Sequence, residues 1–125
     1  MLLSILAIFF GAGFGALLRA GFNVLTVSAA SVIPLGTLLS NMVCGYLVGL
    51  AVAYFGNNPQ LSPEWKLLVV TGFLGGLTTF SSFSAEVIVL MQRDQMLTAL
   101  GLAAMHVGGS LLLAFLGMWT FQAFK

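Results

Sequence analysis

Three polar residues set in one apolar stretch pose the first chemical question. Thr37, Ser40 and Asn41 lie at i, i+3 and i+4, so on a helix they share a face. Asn41 carries a carboxamide with two N–H donors, too long and too polar to satisfy itself against its own backbone as Ser or Thr can. In an apolar segment such a group either bonds a neighbouring helix or faces a polar path. A second stretch, Gly72-Phe-Leu-Gly-Gly-Leu-Thr-Thr-Phe-Ser-Ser-Phe-Ser84, crowds glycine, β-branched threonine and serine together. Glycine loses backbone entropy in a helix, and Ser and Thr compete for its hydrogen bonds. The composition predicts a break near Gly75–Thr79, where freed carbonyls could coordinate a cation. Beyond it, Phe80 and Phe83 stand at i, i+3 and can present to one side. An aromatic ring is positive at its edge. Two rings turned edge-on stabilise a small anion without a full positive charge, which would bind too tightly to release. Ser81, Ser82 and Ser84 add hydroxyls beside the rings, a mixed surface that suits a pore better than a core.

Few other side chains can do chemistry. Arg19 continues the Gly11–Gly15 stripe, with Asn23 next along it. Near a helix end it either snorkels to the headgroups or concentrates anions at a pore mouth. Glu86 is the carboxylate well inside an apolar segment; in an anion path it must be paired, neutralised or turned toward a vestibule. His106 and Ser110 share a face at i, i+4, where a lone histidine is more often a packing residue than a proton carrier. Cys44, the single cysteine, reads as an inert packed thiol.

The elements that must hold these residues follow from composition. Of 125 residues, 60% are apolar and 6% charged, against about a quarter charged in a soluble domain. Such a surface must face lipid or protein rather than water all round. The net charge of +1 points to no nucleic-acid partner. A helix needs about 20 apolar residues to span a bilayer, and four windows qualify, at about 2–25, 35–55, 65–91 and 97–121. The fold class is therefore an all-α membrane protein, a single transmembrane domain over 1–125 with four helices, the third broken mid-membrane. The N-terminal run lacks a basic n-region and a cleavage site, so it reads as a retained helix. Pro34 and Gly56-Asn57-Asn58-Pro59 bound the second window as turn signals. Ser62-Pro63-Glu64 supplies the third with a cap, a first-turn proline and an acid. Gly11/Gly15, Gly45/Gly49 and Gly72/Gly76 are G-x-x-x-G pairs that let helix backbones approach closely.

Four crossings put both termini on one side. Lys66 and Lys125 then face Arg93 across the membrane, a bias that barely specifies orientation. A chain that inserts both ways can build an antiparallel (dual-topology) homodimer, and four helices of this length enclose too little to form a pathway alone.

Three motifs carry a family likeness: Gly11-x-Gly13-x-Gly15-Ala16-x-x-Arg19, Gly36-Thr37-Leu38-x-x-Asn41 and Gly72-x-x-Gly75-Gly76-x-Thr78-Thr79-Phe80-Ser81-x-Phe83-Ser84. Over nearly its whole length the chain resembles the Fluc/CrcB family of fluoride channels. The resemblance implies a passive, fluoride-selective channel of the bacterial cytoplasmic (inner) membrane, with two pores in an antiparallel homodimer. It implies Asn41, Phe80 and Phe83 as pore-lining contacts with Ser81 beside them, Ser110 on a polar track of the fourth helix, and Arg19 at a vestibule. It also implies a structural sodium ion at the dimer interface, held by the backbone carbonyls of Gly75 and Thr78. Position 82 is Ser where family members often carry Thr, and position 114 is Ala where relatives can carry a hydroxyl, so the track is expected to be shorter here.

Two other readings compete. A small dual-topology, proton-coupled multidrug exporter needs a titratable residue in the membrane, in that family a Glu in the first helix, and the first span has no Glu, leaving Glu86 as a substitute. A non-transporting subunit would leave Asn41 and the broken helix without a purpose. Enzyme activity is not expected, because no nucleophile–base pattern is present, nor is an ATP-binding G-x-x-x-x-G-K-[ST] run.

Overall fold

The computed structural model describes residues 1–26 and 35–124 of the chain. Helix α1 spans Leu2–Thr26 and α2 spans Leu35–Gly56. Helix α3 covers residues 63–77, α4 covers Ser81–Gln92, and α5 covers Met96–Phe124. Four segments, Leu2–Leu25, Gly36–Gly56, Pro63–Gln92 and Met96–Phe124, are long and apolar enough to cross a membrane. The protein is thus an all-α, multi-pass membrane protein. Large side chains such as Phe9, Phe14, Leu17, Leu111 and Phe115 stand outward and exposed, as lipid-facing positions require. Pro34 and Lys125, which entered the turn and charge arguments, lie outside the described residues.

The start of α3 follows its sequence. The Ser62 hydroxyl accepts from the Glu64 N–H and also donates to the Glu64 carboxylate, with Pro63 at the first helical position. Each satisfies or removes a donor that a helix start leaves open. Residues Leu67–Leu74 then wind as a π-helix before a final α turn, Gly75–Leu77.

Two glycine seams join the helices in pairs. On α1, Gly11 and Gly15 lie against the backbone of α3, and Gly76 of α3 lies against Ala12. A methyl group on Gly15 would come within 2.7 Å of the Leu77 nitrogen. On α2, Gly45 faces Ser110 and Gly49 faces Ala114, while Gly117 of α5 faces Tyr46. These approaches replace the hydrophobic drive that lipid does not provide. Between the pairs sits a core of Cys44, Ala51, Leu74 and Leu77, in which the Cys44 thiol donates to the Leu74 carbonyl at 3.2 Å. Helix α4 has its own smaller cluster with α5, built from Leu90, Ala99 and Leu102.

The third span breaks at 78–80, toward the far edge of the expected window. Thr78 leaves the helix with φ −80° and ψ 158°. Gly76 stays helical because the absence of its side chain is used for contact with Ala12 of α1, not for a turn, and Gly75 stays helical beside it. Helix α4 restarts when the Thr79 hydroxyl accepts from the Ser82 N–H at 3.2 Å.

Candidate functional site at the broken helix

Asn41 organises the break. Helix α2 buries one face carrying Thr37, Ser40 and Asn41, as their spacing predicts. The Asn41 Oδ1 accepts from the Thr79 backbone N–H and from the Thr78 hydroxyl, both at 3.0 Å. Its Nδ2 donates to the Thr79 carbonyl at 3.2 Å and lies 2.7 Å from His106 Nδ1. One carboxamide thus takes over backbone groups that the interrupted helix sets free, which is what makes a break tolerable at membrane depth.

Phe83 is buried, and its ring lies on His106 with centroids 4.5 Å apart and planes 33° from parallel. Phe80 meets Phe83 edge to face, at 5.6 Å and 75°. Phe80 itself is 76% exposed on the single chain. On α5, a π-helical turn at Met105–Gly109 carries His106 and delivers Ser110, whose hydroxyl donates to the Asn41 carbonyl at 3.4 Å. A cavity of about 160 Å³ is bounded by Asn41, Thr78, Phe80, Phe83, His106 and Ser110, among others. Hydroxyls, an amide, an imidazole and ring surface line it, and none of its described lining residues carries a full charge. A larger groove of about 710 Å³, lined by residues such as Leu47, Tyr54, Trp65, Phe73 and Phe121, is apolar and lacks converging polar groups. It offers an ion nothing to replace hydration.

Of the residues singled out by sequence, Asn41, Phe80, Phe83, Ser110 and Thr78 converge on this cavity. Ser81 is exposed at the start of α4 and does not line it; Arg19 is half-exposed on α1, away from it. Gly75 lies exposed on the last turn before the break. Glu86 is held by Thr37, whose hydroxyl donates to Oε2 at 2.8 Å, while Oε1 is buried without a protein partner. The carboxylate therefore sits one turn along α2 from Asn41, bonded across from α4. Sequence reading missed Thr79, which acts through its backbone, and left His106 as a packing residue. The shared face of His106 and Ser110 was the available signal for the latter.

A family model described as CrcB-like protein, Camphor Resistance (CrcB), matches residues 6–118. The chain is 70% identical over 125 residues, all of both chains, to the fluoride-specific ion channel FluC of Polynucleobacter asymbioticus. It is 56% identical over 124 residues to the protein of that name in Tolumonas auensis (96% of this chain, 94% of the relative). It is 54% identical over 121 residues to that of Pseudomonas putida (97% and 95%). A family match over most of the length, with relatives this similar from end to end, means that the chain belongs to the CrcB-like family.

Proposed function

We propose that the protein is a passive, fluoride-selective ion channel that exports fluoride from the cytoplasm and so relieves its toxicity. The observation that carries this reading is the cavity at Asn41, whose described lining brings together an amide, hydroxyls, an imidazole and two phenyl rings and holds no full charge. It stands in a chain whose relatives are named fluoride-specific channels. Fluoride is small and strongly hydrated, so a selective path must replace its water with several donors at once. Neutral donors do so while leaving binding weak enough for release. Asn41, Phe80, Phe83 and Ser110 line the route in this reading, with Ser81 beside them at the start of α4, and Arg19 concentrates anions at the vestibule. Fluoride enters cells as its neutral acid and is trapped as the anion in a more alkaline cytoplasm; a passive channel in the inner membrane lets it leak outward.

The working unit in this reading is an antiparallel homodimer with two pores. Irregular backbone at membrane depth is tolerated only against protein or a cavity. On one chain, Gly75, Thr78 and Phe80 are all exposed at the break, and in this reading a second copy covers them. The carbonyls of Gly75 and Thr78 would hold a sodium ion there. Their fit is the extended backbone at Thr78, which turns that carbonyl out of the helical ladder, and hard oxygen donors suit a hard cation.

The test is fluoride efflux from liposomes read with a fluoride electrode. Purified protein should release fluoride and retain chloride. No fluoride release, or equal release of both ions, would rule the reading out. Tags on the C-terminus should report from both sides of the membrane, and a single-sided result would exclude the antiparallel dimer.

A further inference from the structure

We propose that His106 works in the permeation path as one fixed tautomer, accepting from Asn41 at Nδ1 and presenting Nε2–H to the passing anion. This rests on the channel reading. The tautomer follows from chemistry in three steps. The Thr79 N–H can only donate and the Thr79 carbonyl can only accept, so the two bonds at 3.0 and 3.2 Å fix which end of the Asn41 amide is which. The NH₂ end therefore faces His106 Nδ1 at 2.7 Å. An NH₂ group has two hydrogens and no lone pair to offer, so Nδ1 must be the acceptor and the ring proton must sit on Nε2. An imidazolium would set N–H against N–H and break the arrangement.

Nε2–H is then a buried donor without a protein partner. The residue is only 4% exposed and borders the cavity at the break. Buried donors are nearly always satisfied, and one left open marks a ligand or a functional strain. Both Asn41 amide hydrogens and the Thr78 and Ser110 hydroxyls are already bonded at that cavity, and an anion at Nε2–H completes the imidazole. His106 thus has two jobs. Its Nδ1 holds the Asn41 amide in register, and its Nε2–H adds a neutral donor that stays uncharged. The π-helical turn at Met105–Gly109 sets the ring at Asn41 and on Phe83 at once, and such turns gather at functional sites.

This ring belongs to the only histidine of the chain, so ¹⁵N-histidine labelling reports it alone. In lipid bilayers, ¹⁵N NMR should show an unprotonated Nδ1 and a protonated Nε2. Added fluoride should shift the Nε2–H signal, and chloride at equal concentration should not. Three variants separate the roles by efflux. His106→Phe keeps the stacked ring and loses both nitrogens, and its fluoride flux should fall about tenfold or more, the equivalent of one hydrogen bond to an ion. His106→Leu should fall at least as far. His106→Asn restores an acceptor at the Nδ1 position and should recover part of the flux lost in His106→Leu. A proton on Nδ1, a fluoride-insensitive Nε2–H, or wild-type flux in His106→Phe would each overturn the proposal while wild-type conduction kept the channel reading intact. If the wild-type protein released no fluoride, both would fall together.

Discussion

The two halves of the third span obey different rules. Helix α3 is joined to α1 by backbone-on-backbone contact through Gly11, Gly15, Gly72 and Gly76, a dry seam whose specificity lies in the absence of side chains. Helix α4 begins among Thr79, Ser81, Ser82 and two phenylalanines and has few packing partners on its own chain beyond α5. One half is packed backbone to backbone against its neighbour, and the other leaves Phe80 and Ser81 exposed at its start on the single chain. Asn41 stands where they meet and bonds backbone from the second half to a helix seamed to α5. The lesson is that stability and conduction are separable here, and substitutions should divide along that line.

The largest effect is expected in a seam. A side chain at Gly49 would overlap the Ala114 backbone, so Gly49→Val should leave no monodisperse protein on size-exclusion chromatography; strain against backbone costs more than the ~1–3 kcal/mol of ordinary overpacking. Next comes the junction. Asn41→Ala removes the acceptor for Thr78 and Thr79 and the donor to His106 and to the Thr79 carbonyl, and fluoride flux in liposomes should fall about a hundredfold, a loss of about 2.8 kcal/mol in passage. The fold should survive, because neither seam is touched. Phe80→Ile or Phe83→Ile should cut flux about tenfold with the fold intact, a loss of about 1.4 kcal/mol in passage; unchanged flux in both would remove the rings from the path. Thr78→Val deletes one of two bonds to Asn41 Oδ1 and should lower thermal stability by about 1 kcal/mol, measured by melting in detergent. The smallest effect belongs to Gly13, which has open space around its Cα. Gly13→Ala should leave flux unchanged and, as a better helix former, raise stability by up to about 1 kcal/mol.

What was legible in the sequence was whatever depends on composition and local spacing. The four spans, the Ser62-Pro63-Glu64 cap and the buried Thr37–Ser40–Asn41 face all follow from residue type and periodicity. The break was legible as a region, while its position moved to 78–80 because glycine has two uses that sequence does not distinguish. Gly76 serves close contact with Ala12 rather than a turn. Pairings across the fold were not legible. Thr79 acts through its N–H and carbonyl, which every residue but proline possesses, so no side-chain pattern marks it. His106 meets Phe83 and Asn41 only because of how α5 crosses α2 and α4, with a π-helical turn setting the ring's direction.

The most direct measurement of the central claim compares fluoride and chloride efflux from the same liposomes for wild-type protein, Asn41→Ala and Gly13→Ala, with the amount of reconstituted protein matched. The account predicts fluoride-selective flux for wild type and Gly13→Ala and its near loss in Asn41→Ala. Equal fluoride flux in all three proteins would contradict it, because the cavity at the broken helix would then not be the route of the ion.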